Sequence, residues 1–292
     1  MQIIYKVDVV FLVIYSILIL SIGSVFAILG KWIWMPVALG IEGWYLFLML
    51  RRPYKRYRAL KEPVPLEWKR FLYEYCVFYR NSDPDHQAHF EWDLRIFLSD
   101  FPIRGIKGRP VNIETKLLIA SGFATALHGQ PDWEPPIKDG VLVYPGDRFD
   151  RNFNIGKGIR AGQASVNSPL IVTEESLKES FDRADDGYNV VYHELAHYFD
   201  MEDGMAKGIP TARLRSDQVD PWRAVIREEW IRATQGLSFL RAYAASNEAE
   251  LFAVAVECFF ENPRLMVRHN PALYEILKNF FNIDTVDVMN RL

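Results

Sequence analysis

The chain has 292 residues, room for one large or two modest domains, and its formal net charge is −3. That charge is unevenly spread: residues 1–50 are neutral, residues 51–62 carry +5, and −8 is left on the remainder, which argues against nucleic-acid binding as the main role. Two cysteines, Cys76 and Cys258, lie far apart in apolar helical contexts and read as reduced core residues, not a disulfide framework, which suits a cytoplasmic domain.

The first fifty residues read as a membrane anchor. Val9 to Leu29 is an uncharged run of 21 residues, long enough to cross a hydrocarbon layer of roughly 30 Å as a helix. Gly30 and Lys31 break it, and Trp32 to Leu50 forms a second apolar run of 19, with Trp32 and Trp34 suited to an interfacial belt. The first run is too long for a cleaved leader and lacks an A-x-A site. Pro36 and Glu42 weaken the second run, so a single span with the second helix lying in the interface stands as the alternative. Arg51, Arg52, Lys55, Arg56 and Arg58 are costly to translocate and belong on the cytoplasmic side. The expectation is a multi-pass inner-membrane hairpin over residues 1–50 (helices about 9–29 and 32–50). A basic linker over 51–62 follows, then a domain over 63–292 facing the cytoplasm beside the bilayer.

Apolar spacing predicts helices over Leu66–Tyr79, His86–Leu98 and Ile113–Leu127, the last ending at His128-Gly129. Phe101–Ile106 reads as a short extended piece. Gly140–Tyr144 is strand-like between turn signals, and Ala161–Val166 and Leu170–Thr173 extend the same small sheet. Gln163-Ala164-Ser165 is a weak candidate for an exposed edge that takes a peptide by strand addition. Helices over Glu174–Asp182, Gly187–Phe199, Pro221–Thr234, Glu248–Glu261 and Ala272–Phe281 complete an α+β fold, mostly helical. His86 and His89 fall in a polar helix start and read as solvated, His128 as a helix-end cation, and His269 as part of a turn.

The most informative stretch is His193-Glu194-Leu195-Ala196-His197. Histidines at i and i+4 project from one helical face, where one Zn²⁺ accepts both, and the glutamate beside the first stands next to the metal as a general base. A catalytic zinc takes three protein ligands, yet no third histidine follows at the metzincin spacing, so a carboxylate from a second helix is required. Asn247–Glu261 is the best segment, with Glu250 and Glu257 seven apart on one face: either a metal ligand and a carboxylate behind it, or a solvent-facing acidic stripe. Asp200, two turns beyond His193, either orients an imidazole or caps the helix end before Gly204.

These pieces resemble the Mlc titration factor A family of zinc metallopeptidases. The likeness covers most of residues 63–285: Pro65–Trp68, Leu117–Ala120, Val141–Gly146, His193–Met201, Tyr243–Ala245, Glu250–Val254 and Glu257–Glu261. It implies a zincin-like fold with one Zn²⁺ per chain on His193, His197 and Glu250, as in the similar catalytic domain of anthrax lethal factor. It implies Glu194 as general base, Tyr243 as a transition-state donor, and a peptide or protein substrate. Leu251 stands where the family usually has phenylalanine, apolar for apolar. Because the family's namesake binds the repressor Mlc, the alternative function is sequestration of a transcriptional regulator.

Overall fold

In a computed structural model, which describes residues 1–146 and 169–290, the chain divides into two compact units, Met1–Pro63 and Val64–Leu292.

The first unit is a pair of helices, Lys6–Ile28 and Trp34–Ala59, that fold back on one another across a short connection. The Tyr45 hydroxyl donates to the Phe11 carbonyl across the pair at 2.8 Å. Most of their large apolar side chains stay exposed. Among the described residues only Lys6–Ile28 is long and apolar enough to cross a membrane. The second helix departs from the expected span over 32–50. It holds Glu42 and continues through the basic segment to Ala59, with Arg56 buried and donating to the carbonyls of Gln2 and Ile3. By length and hydropathy one candidate span is supported, and the expected second span over 32–50 is not among the candidates.

The second unit is mostly helical around a three-stranded parallel sheet. Strands β1 (Ile103–Gly105), β2 (Val141–Tyr144) and β3 (Leu170–Thr173) pair in that order, with Ile103 beside Val141 and Val141 beside Leu170. Parallel neighbours need a crossover, and helix Ile113–Leu127 lies between β1 and β2 in the chain. That helix is buried almost throughout, which is why its sequence is apolar on every face. The proposed strand Ala161–Val166 and the edge Gln163–Ser165 lie outside the described residues.

Most helices match their sequence signals, and the departures have local causes. The segment expected as one helix over 66–79 is two, Leu66–Tyr75 and Val77–Asn81, because Cys76 is extended (φ −109°, ψ 99°). Helix Pro263–His269, which holds the histidine assigned to a turn, was missed. It and helix Pro271–Phe281 each begin at an Asn-Pro pair: the asparagine side chain accepts the N–H of Leu265 or Leu273, and proline takes the first helical position.

Helix Val190–Asp200 carries the histidine motif. Its Val191, Leu195 and Phe199 are fully buried, one every turn, and this stripe leaves His193, Glu194 and His197 on another side. It crosses helix Ile113–Leu127 where a Cβ on Gly122 would stand 2.5 Å from Val191 Cγ1, so only glycine permits that approach. Helix Glu248–Glu261 packs beside it, apolar and buried from Leu251 to Val256.

Candidate metal centre

Asn189 starts the motif helix and ties it to its neighbour. Its side-chain oxygen accepts the N–H groups of Val191 and Tyr192, satisfying donors that a helix start leaves open. Its own N–H donates to Glu257 Oε2 at 2.7 Å, and its amide donates to Glu261 Oε1 at 3.1 Å. Asn247 caps the second helix by accepting the N–H of Glu250 at 2.9 Å. Both helices are thus fixed at the ends that carry the candidate ligands.

Three side-chain atoms converge between them. His193 Nε2 and His197 Nε2 are 3.1 Å apart, and Glu250 Oε2 lies 3.2 Å from the first and 3.4 Å from the second. For ligand bonds of about 2.0–2.1 Å, the corners of a tetrahedron are separated by roughly 3.3 Å. Glu250 Oε2 is buried and makes no well-directed hydrogen bond, although both nitrogens are close. Its lone pairs face the shared centre instead, so the donors fit a metal ion better than they fit one another. Burial alone would raise the Glu250 carboxyl; the two imidazoles overcome it and hold the group well below the usual carboxylate range.

Glu257, with no solvent exposure, accepts from His193 Nδ1 at 2.7 Å. A carboxylate only accepts, so Nδ1 carries a hydrogen, and Nε2 is the nitrogen turned to Glu250 and left for a metal when one displaces its proton. Burial opposes a charge on His193, but Glu250 and Glu257 outweigh it and push its pKa up to about 9. Glu194 is partly exposed beside these rings; burial raises its carboxyl against the opposing pull of His197 and His193. Tyr243, 48 % exposed on a 3-10 turn, has its ring centroid 6.0 Å from that of His193. Asp200 is fully buried and does neither of the things expected of it. Its oxygens accept the N–H groups of Gly208 (2.8 Å) and Ile209 (2.7 Å), bracing a loop and not an imidazole.

Sequence reasoning missed Arg241. Its guanidinium donates to Glu257 Oε1 and lies over the rings of Tyr188 (5.3 Å) and Tyr243 (5.4 Å). An isolated arginine two residues before a tyrosine carries no periodic or motif signal, and only the fold brings it to a buried carboxylate. The family profile described as glucose-regulated metallo-peptidase M90 matches residues 51–282, most of the chain. The chain belongs to that metallopeptidase family. Mlc titration factor A of Edwardsiella ictaluri is 36 % identical over 138 residues, 44 % of this chain and 51 % of that protein. Mlc titration factor A of Serratia proteamaculans is 29 % identical over 168 residues, 52 % of this chain and 63 % of that protein. The chain thus spans between half and two-thirds of the length of these relatives. An uncharacterized protein of Synechocystis is 27 % identical over 245 residues, 78 % of this chain and 87 % of that protein. The likeness to the Mlc titration factor A family read from the sequence is therefore shown, and membership of a metallopeptidase family suggests a metal, with which the cluster of His193, His197 and Glu250 is compatible.

Among the remaining histidines, His86 and His89 keep exposed side chains (50 % and 37 %), and His128 departs from its expected role. His86 and His89, on helix Pro84–Asp100, pack against His128, which is 7 % exposed at the end of helix Ile113–Leu127. Burial, then the nearby His89 and His86, push the His128 imidazolium down to about 3, so it is not a helix-end cation.

Proposed function

We propose that this protein is a zinc-dependent peptidase held at a membrane by its N-terminal helix. The observation that carries the reading is the triangle of His193 Nε2, His197 Nε2 and Glu250 Oε2, with sides of 3.1–3.4 Å. Two imidazoles and a carboxylate suit zinc and leave a fourth position for water or substrate. When bound there, zinc supplies a Lewis acid that polarises a peptide carbonyl and lowers the pKa of a water toward about 7. Glu194 accepts the proton of the attacking water and returns it to the departing amine, a role its upward-shifted carboxyl suits. Tyr243 offers its hydroxyl to the oxyanion that develops on the carbonyl. Glu257 holds His193 in the tautomer that leaves Nε2 for the metal, and Arg241 holds Glu257.

Lys6–Ile28 is proposed as the anchor, with the exposed apolar side chains of the first unit facing lipid. Arg51 to Arg58 keep the catalytic unit on the cytoplasmic face, where soluble proteins and cytoplasmic segments of membrane neighbours are its substrates. A reporter fused after Leu292 that needs the cytoplasm is then active, and external protease leaves the catalytic unit intact. Digestion from outside overturns this orientation.

The peptidase reading is tested on the detergent-purified full chain by zinc analysis and a chromogenic peptide panel. Wild type cleaves and holds zinc; Glu194→Gln keeps the zinc and loses cleavage. A wild type that does neither overturns the reading. A second reading, capture of a transcriptional regulator, is favoured by the name of the relatives, Mlc titration factor A. It wins if Glu194→Gln complements a deletion as fully as wild type does.

A further inference from the structure

We propose that His89, Asp93 and His128 form a second metal site, separate from the catalytic centre, that takes a first-row divalent ion of the zinc class. His86, His89 and Asp93 are spaced i, i+3, i+7 on helix Pro84–Asp100 and so share one of its faces. The end of helix Ile113–Leu127 delivers His128 against that face, with ring centroids 4.7 Å from His89 and 5.1 Å from His86. His89 Nε2 lies 3.5 Å from Asp93 Oδ2. One ligand atom from each of His89, Asp93 and His128 lies within 4.8 Å of the others.

The ring nitrogens of His128 divide the work. Its Nε2 is 2.8 Å from His86 Nδ1, a hydrogen-bonding distance. Its Nδ1 is buried and has no hydrogen-bond partner among the described residues. A buried nitrogen in that state is costly unless something binds it, and a cation held with His89 and Asp93 does so. His86 then stands to His128 as Glu257 stands to His193, fixing which nitrogen is left for the metal. Two imidazoles and a carboxylate are borderline nitrogen and oxygen donors, which select zinc-class ions over magnesium or calcium. The 3.5 Å between His89 Nε2 and Asp93 Oδ2 is close to the 3.1–3.4 Å sides of the catalytic triangle. Asp93 has no exposure, whereas the side chain of His89 is 37 % exposed and gives an ion its way in.

The consequence reaches the catalytic unit through packing. An ion here pins the first half of helix Pro84–Asp100 to the end of helix Ile113–Leu127, and the latter touches the motif helix at Gly122 and Val191. The second ion is therefore a brace for the scaffold under the catalytic histidines.

The test uses the detergent-purified full chain, stripped with chelator and dialysed against Zn²⁺. Wild type is expected to hold two equivalents, and His193→Ala/Glu250→Ala, which removes the catalytic ligands, one. Adding His89→Ala to that double variant is expected to remove the last equivalent, with an unchanged helical circular dichroism spectrum. Co²⁺ loaded into the double variant is expected to give the visible absorption of an imidazole-ligated tetrahedral ion, a readout that does not depend on the triple variant folding. If wild type holds one equivalent and the double variant none, the second site is overturned while the catalytic reading stands. If both hold one, lost with His89→Ala, the second site stands and the catalytic assignment falls. A double variant that yields no Co²⁺ absorption also overturns the proposal.

Discussion

Glu257 Oε1 accepts the Nδ1 hydrogen of His193 at 2.7 Å from a position with no solvent exposure. The contact joins the two helices that carry the candidate ligands, and Asn189 reinforces it by donating to the other oxygen of the same carboxylate. Replacing Glu257 by glutamine removes the charge that favours this tautomer and leaves Arg241 facing a neutral amide. Zinc affinity, read by competition with a chelator, is expected to fall about 10–100-fold. Glu250→Ala should lose more, and Glu248→Ala nothing; equal losses at all three would mean that Glu250 is not a ligand.

Tyr243 is half-exposed beside Arg241 and the Glu250 carboxylate, and replacing it by phenylalanine keeps the ring and removes only the hydroxyl. Tyr243→Phe is expected to keep full zinc content and to lower kcat by about 10²–10³-fold, the scale for one oxyanion donor. A change confined to KM would assign the ring to substrate binding instead.

Gly208 has φ +70°, and a Cβ on it would meet the carbonyl oxygen of Glu248 at 2.3 Å. Asp200 accepts its N–H, and Trp222 Nε1 donates to its carbonyl at 2.9 Å, so the loop cannot retreat without breaking both bonds. Gly208→Ala must therefore push the start of the helix that bears Glu250. It is expected to cost well over about 1 kcal/mol in chemical denaturation and to weaken zinc binding. Gly204→Ala, also at positive φ but with open space around its Cβ, should cost only the backbone strain of about 1–2 kcal/mol and leave metal affinity unchanged.

Burial pushes the Glu261 carboxyl up to about 9, against the amide of Asn189 and with help from Asp186 and Glu257. Between the unfolded value near 4.5 and about 9 the folded state binds more protons than the unfolded one. Stability linked to this group is thus fully present below the unfolded value and lost as pH rises through the folded one. Glu261→Gln, neutral at every pH, is expected to raise Tm above wild type at pH 8, the gain shrinking toward pH 5. A gain that grew on acidification would reverse the assignment.

The sequence alone determined the motif helix, the α+β class, both later strands and the helices over Ile113–Leu127, Glu174–Asp182 and Glu248–Glu261. Those are consequences of periodicity and end signals within a dozen residues, which any single chain displays. Spacing singled out Glu250 and Glu257 as a pair, and likeness to a family picked Glu250 as the ligand and Tyr243 as the donor. What the sequence could not hold is which distant side chains meet. Arg241 reaches Glu257 because the turn before helix Glu248–Glu261 folds back beside it, and His128 comes to lie on His86 because two helices pack together across 42 residues of chain, contacts that no local pattern encodes. Asp200, open in the sequence between an imidazole and the helix end, met neither for the same reason: two backbone N–H groups from a folded-back loop captured its carboxylate. The second apolar run was read as a span that Pro36 and Glu42 weaken, with an interfacial helix as the alternative. Its helix continues into the basic segment, and that continuity, with Arg56 buried in the first unit, belongs to the tertiary structure.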